Sequence, residues 1–145
     1  MTLMQAIKRM EEVALEQPAV KSIVENDVYR LNGKSDAKYG VFAFTQGRHY
    51  SDASSPFRRY TFTLFYVDRL TESHDNEIAV QSTGCFVLDN VCRTLAEEWD
   101  VSEWNIRTFT ERFMDECAGA YCEVTFGVPA EYGGECAETY NEIGG

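Results

Sequence analysis

Arg58–Leu70 reads RRYTFTLFYVDRL, and its alternation decides the fold. Tyr60, Phe62, Leu64 and Tyr66 fall on one face of an extended chain, and Thr61, Thr63, Phe65 and Val67 fall on the other. The second face starts polar and turns apolar at Phe65, so another element or a neighbouring subunit is expected to cover it. Upstream, Tyr39–Thr45 (YGVFAFT) is equally rich in aromatic and β-branched residues and predicts the partner strand. Gln46–Pro56 lies between them, eleven polar or small residues without a pattern. The pair predicts an antiparallel hairpin with a long tip, and a structureless tip of that length is usually functional, disordered or docked on a partner.

Working outward, Asp75–Trp99 predicts the main helix. Ile78, Cys85, Leu88, Cys92, Leu95 and Trp99 form one apolar stripe, with Val91 beside it. Ser73, Asp75 or Asn76 can cap its start, and Glu77 in the first turn suits the helix dipole. Gly84 in mid-helix costs about 1 kcal/mol relative to Ala, which points to close backbone packing or a bend. A first helix is expected after Thr2, with Leu3, Met4, Ile7, Met10 and Ala14 apolar and Pro18 as its stop. A short extended segment near Asp27–Leu31 ends in the turn dipeptide Asn32-Gly33. Two more strands are expected at Trp104–Phe113 and Ala120–Val128, the latter with Ala120, Cys122, Val124, Phe126 and Val128 on one face.

Helices mixed with hairpin-connected strands predict an α+β fold: a mixed, mainly antiparallel sheet with a long β-hairpin and two helices packed on one face. No linker or repeat divides the chain, so residues 1–129 are expected to form a single domain. Residues 130–145, acidic and Gly-rich, are expected to form a C-terminal arm or a disordered tail. The 145 residues are 44% apolar and 13% aromatic, too rich for a disordered chain. No apolar run approaches the roughly 20 residues of a membrane span. The opening MTLMQAIKRMEEVALE places Lys8, Arg9, Glu11 and Glu12 where a signal peptide would be apolar, so a cytosolic origin with reduced thiols is expected.

The net charge is −11 and unevenly spread. Residues 1–60 hold nine basic and seven acidic residues; residues 61–145 hold four and seventeen. So acidic a second half repels phosphate, which argues against specific nucleic-acid binding and against an anionic membrane surface.

Groups for catalysis are sparse. His49 and His74 fall in expected loops, as solvated side chains. Cys85 and Cys92 sit on the apolar stripe of the main helix as small hydrophobes, and Cys117, Cys122 and Cys136 have no zinc-type spacing. No phosphate-binding glycine loop, zinc-protease helix or serine-hydrolase elbow occurs. No enzyme, metal or cofactor is therefore expected. One local basic feature remains: Arg58 and Arg59, with Arg48 across the loop. Clustered near a hairpin tip on an acidic molecule, these arginines would complement a neighbour's acidic body and orient a head-to-tail contact.

YTFTLFYVDRLTE (Tyr60–Glu72), HDNEIAVQSTG (His74–Gly84) and RTFTERFMDECAGAYCEVTF (Arg107–Phe126) together resemble a family of small virion proteins from phages of Bacteroides-type hosts, including crAss-like phages. In order of elements the chain also resembles the tail-terminator and tail-completion proteins of tailed phages. The resemblance runs from about Leu31 to Pro129; its strand–linker–helix part is the most specific and the first helix is generic. It implies a non-enzymatic virion protein, made in the host cytoplasm. Such a protein forms a homo-oligomeric ring, about 6 or 12 copies, at the head–tail junction beside portal, adaptor and tail proteins. DNA would be passing cargo only. On this reading Arg48, Arg58, Arg59, Tyr60 and Phe65 meet the next subunit, and Glu97, Glu98, Glu111 and Glu116 line the channel, where an acidic wall gives DNA nothing to stick to. Two other classes are compatible with the residues: a small acidic cytosolic protein-binding module of the immunity or DNA-mimic type, and an enzyme using Cys117 or Cys122 with a loop histidine.

Overall fold

A computed structural model describes residues 1–26, 38–112 and 116–130. Its elements are α1 (Leu3–Leu15), β1 (Ser22–Glu25), β2 (Val41–Ser51), β3 (Phe57–Arg69), α2 (Glu77–Ala96), β4 (Asn105–Arg112) and β5 (Glu116–Pro129). The strands form one sheet in the order β1-β2-β3-β5-β4. Only the β1–β2 pair is parallel; the other three pairs are antiparallel. Both helices contribute to the core on one face of this sheet, so the expected α+β architecture is present.

The alternation of β3 organises the whole. Its even-numbered residues meet Phe42 and Phe44 of β2 on one side and Ala120, Cys122, Val124 and Phe126 of β5 on the other, all on the helix face. Phe62 is the hub, with Phe44 edge-on at 5.8 Å and Phe126 at 6.1 Å between ring centres. Met10, Val13 and Ala14 of α1 close this core, as do Val87, Leu88, Val91 and Leu95 of α2. Burying each large apolar side chain contributes about 1.5–3 kcal/mol, which makes this layer the main source of stability. A capping box starts α1: the Thr2 hydroxyl accepts from the Gln5 amide at 3.3 Å while the Gln5 side chain accepts from the Thr2 amide at 2.9 Å.

Gly84 reflects close approach. A Cβ there would lie 3.0 Å from the Cβ of Ala120 and 3.1 Å from its amide nitrogen, so α2 lies almost directly on β5. Gly119, one residue before Ala120, faces the other side of the sheet, where a Cβ would fall within 1.7 Å of the Tyr66 carbonyl of β3. Gly84 and Ala120 therefore bring helix and sheet together, and Gly119 lets β5 pass close to β3.

Three expectations need correction. The hairpin tip is not eleven unpatterned residues: β2 continues to Ser51, and only 52–56 form the tip. A bulge between Gln46 and His49 shifts the register, after which His49, Tyr50 and Ser51 pair with Tyr60, Arg59 and Arg58. Ladder hydrogen bonds need no apolar side chains, so polar composition alone hid the strand. The tip is closed by Asp52, whose carboxylate accepts from the Ser54 amide and hydroxyl, both at 2.9 Å. The second correction concerns His49, which is no solvated loop residue. Its ring packs on Tyr60 and Phe62, its Nδ1 accepts from the Thr61 amide at 3.2 Å, and burial holds its pKa below the usual imidazole value. The third concerns Ile78, which the sequence stripe places in the core but which is 79% exposed; the buried stripe runs instead through Val80, Gly84, Val87, Leu88, Val91, Cys92 and Leu95. Asn76 occupies the N-cap of α2 without a side-chain cap bond. β1, at Ser22–Glu25, is an unexpected strand; the extended segment expected near Asp27–Leu31 lies outside the described residues, as does the chain from 131 to 145.

Candidate functional site

The sheet face opposite the helices changes character along its length. At one end Val24, Val41, Ala43, Val67 and Cys117 are buried, with Tyr39, Phe65 and Phe109 packed against them. Toward the hairpin it opens into a shallow groove of about 720 Å³ whose lining includes Tyr50, Arg59, Trp104, Arg107, Tyr121 and Glu123. A row of half-buried rings marks the transition: Phe65 stacks on Tyr121 with centres 6.0 Å apart, and Phe109 tilts against Tyr121 at 6.3 Å. These rings come from β3, β5 and β4, adjacent in the sheet but distant in sequence.

Arginines and carboxylates are interleaved around the groove. Arg59 pairs with Asp100 at 2.9 Å. Asp100 itself is fixed by a two-way backbone bridge to Gly127, at 2.9 and 2.8 Å. The guanidinium of Arg48 lies 4.7 Å from the centre of the Tyr50 ring. Trp104 is oriented from the helix side of its segment: its indole N–H donates to Asp89 at 3.0 Å. Arg93, 2.6 Å from Asp89, and then this indole bond hold that carboxyl below its usual range.

The arginine cluster expected at the hairpin tip is divided between the two faces. Arg58, paired with Val128 in register, lies on the helix side and donates to the Met1 carbonyl at 3.4 Å. Arg48 and Arg59 belong to the groove end. Tyr60 is a core residue, its hydroxyl bonded to the Met1 carbonyl at 3.2 Å, so it is not the surface contact expected of it. Phe65 does sit on the face away from the helices, half-buried.

The expected channel-lining carboxylates do not form one patch. Glu98 is held by Arg9 through two bonds of 2.9 and 2.8 Å, which keep its carboxyl below the usual range. Glu97, beside it, is exposed at the C-terminal end of α2. Glu116 pairs with His74 at the opposite end of that helix. Twenty helical residues separate the two ends, about 30 Å. The side chain of Glu111 lies outside the described residues.

The thiols proposed as alternative nucleophiles lie deep. Cys122 is fully buried in the helix-side core, where its hydrogen bond with Cys92, together with burial, pushes the Cys92 thiol far above its ordinary value. Cys117 is fully buried in the opposite-face cluster. Among the described residues no three His, Cys, Asp or Glu side chains gather where they could hold a metal ion, and no helix is long and apolar enough to cross a membrane.

Sequence reasoning missed Arg107, Phe109 and Tyr121 as parts of this face. The alternation of β5 does place Tyr121 with Glu123 and Thr125 on the side away from the core. The strand order that brings it between Phe65 and Phe109 carries no local signal. No protein-family model matches the chain, and no curated protein sequence matches it.

Proposed function

We propose that this chain is a non-enzymatic structural protein that assembles with copies of itself into a ring, of the kind found at the head–tail junction of tailed phages. The row Phe65–Tyr121–Phe109 carries this reading: three aromatic rings on the sheet face away from both helices, partly exposed beside an open groove. Contiguous aromatic surface beside a groove marks an interaction site, and a neighbouring subunit would complete its burial. The charge agrees. A chain at −11 offers a passing duplex few phosphate contacts, which suits a wall that DNA must slide past.

Light scattering coupled to size-exclusion chromatography, over a wide concentration range, tests the reading. A discrete mass at a multiple of 16.5 kDa, such as six or about twelve subunits, is the expected result. A strict monomer throughout, retained on a column bearing a basic protein, would favour the acidic binding module instead.

A further inference from the structure

We infer that copies of this chain associate head to tail, with the outward face of α2 in one copy seated on the open sheet groove of the next. This deepens the self-assembly reading above and rests on it. The two surfaces lie on opposite sides of one slab, because both helices cover a single face of the sheet.

The helix surface has the features of a contact. Ile78 is 79% exposed and Phe86 is 65% exposed, although α2 buries seven other residues. Ile78, Ser82 and Phe86 follow at intervals of four, so the two large side chains share one outward stripe. Exposed Glu72 and Asp75 precede this stripe in the chain, Glu77 turns to the Thr110 hydroxyl of β4 at 2.8 Å, and no lysine or arginine occurs from Ser73 to Cys92.

The sheet surface is its complement. Arg59 and Arg107 stand against Asp100, Glu103 and Glu123 in the lining, and Arg48 lies over the Tyr50 ring at its edge, which makes the groove nearly neutral on a strongly acidic molecule. Arg59 is committed to Asp100, whereas Arg48 and Arg107 have no carboxylate partner among the described residues. Two acidic faces brought together would repel; a nearly neutral face with two arginines that lack a carboxylate partner, meeting a helix start with exposed Glu72 and Asp75 and no basic residue, does not. The rings of Tyr50 and Tyr121 supply the flat apolar surface against which Ile78 and Phe86 would lie. Because the two patches differ, each copy presents one of each after pairing, and growth continues until it closes. Closure needs a turn of about 60° per copy for six subunits and about 30° for twelve.

Complementary poisoning tests this arrangement. Phe86→Glu spoils only the helix surface and Arg107→Glu only the sheet surface; both positions are exposed, so folding should survive and circular dichroism verifies it. Each variant alone is expected to be monomeric by light scattering. Mixed in equal amounts, the intact groove of the first accepts the intact helix of the second, and a 1:1 heterodimer that cannot grow is expected. Tyr121→Glu in place of Arg107→Glu should give the same outcome. Wild-type oligomers with variants that still assemble would overturn the head-to-tail contact while leaving the ring intact. Monomeric variants whose mixture stays monomeric would point to a symmetric contact and overturn it also. A wild-type chain that stays monomeric at all concentrations would overturn both readings.

Discussion

The two faces of the central strand β3 are built from the same thirteen residues and behave differently. On the helix side Tyr60, Phe62, Leu64 and Tyr66 are all buried, each boxed in by β2, β5 and a helix. On the other side Val67 is fully buried and Thr61 is buried against Thr125, while Thr63 and Phe65 between them are half-buried. The first face is finished within one chain, whereas the second is covered only in part. An unfinished apolar face beside a finished core is where a partner adds the most, and this contrast underlies the proposed assembly.

The largest expected effect asks whether the contrast is energetic as well as geometric. Phe62→Ala, at a site with no exposure between two rings, should lower the unfolding free energy by about 3–5 kcal/mol in urea denaturation of the dilute protein. Phe65→Ala on the opposite face of the same strand should cost only about 1 kcal/mol there. Equal losses would mean that both faces are core and would remove the reason to expect a partner.

Next comes the fit of helix to sheet. Gly84→Val places new atoms against Ala120 and should cost about 1–3 kcal/mol through overpacking. Ala120→Gly in the same chain should restore part of that loss, because the two positions touch. If the double variant showed plain additivity in thermal melts, the close approach of α2 to β5 would be wrong.

A smaller effect tests burial on the helix side through charge. Glu11 of α1 has its pKa pushed up to about 7, by partial burial first and then by Glu25 of β1. The folded form therefore holds this proton more tightly than the unfolded chain does. Its contribution is greatest below the unfolded pKa, near 4.5, and fades as pH rises through about 7. Glu11→Gln should accordingly raise stability at pH 8 by about 1 kcal/mol, a figure held down by solvent screening, and change it little at pH 4. A gain of the same size at both pH values would show that burial does not act on this carboxyl.

The smallest effect belongs to the surface. Arg9→Ala removes the bridge from α1 to Glu98 and should cost at most about 0.5 kcal/mol, less in high salt. A larger loss would make the helix layer depend on ion pairing rather than on packing.

Much of this was legible in the sequence. Alternation in Arg58–Leu70 identified the buried side of β3 and flagged Phe65 and Val67 as needing cover, and Thr2 and Gly84 announced a cap and a close contact. The fold class followed because period-two and period-three-to-four patterns separate cleanly along the chain. Three features were hidden for physical reasons. The polar half of β2 is held by backbone bonds that side-chain patterning does not report. Ile78 fits an apolar stripe on spacing alone, but its angle around α2 turns it outward. The groove depends on β5 lying between β3 and β4, a tertiary choice that brings Arg107 and Tyr121 beside Arg59 without any local motif. The tip arginines were visible, but not that Arg58 and Arg59, adjacent in a strand, must point to opposite faces.

Hydrogen exchange followed by mass spectrometry, at low and high protein concentration, compares the two faces directly. The account expects amides of β4 and of the first half of α2 to slow as concentration rises, while the core strand β3 is already slow at both. Unchanged exchange in β4 and α2 across the full range would contradict it.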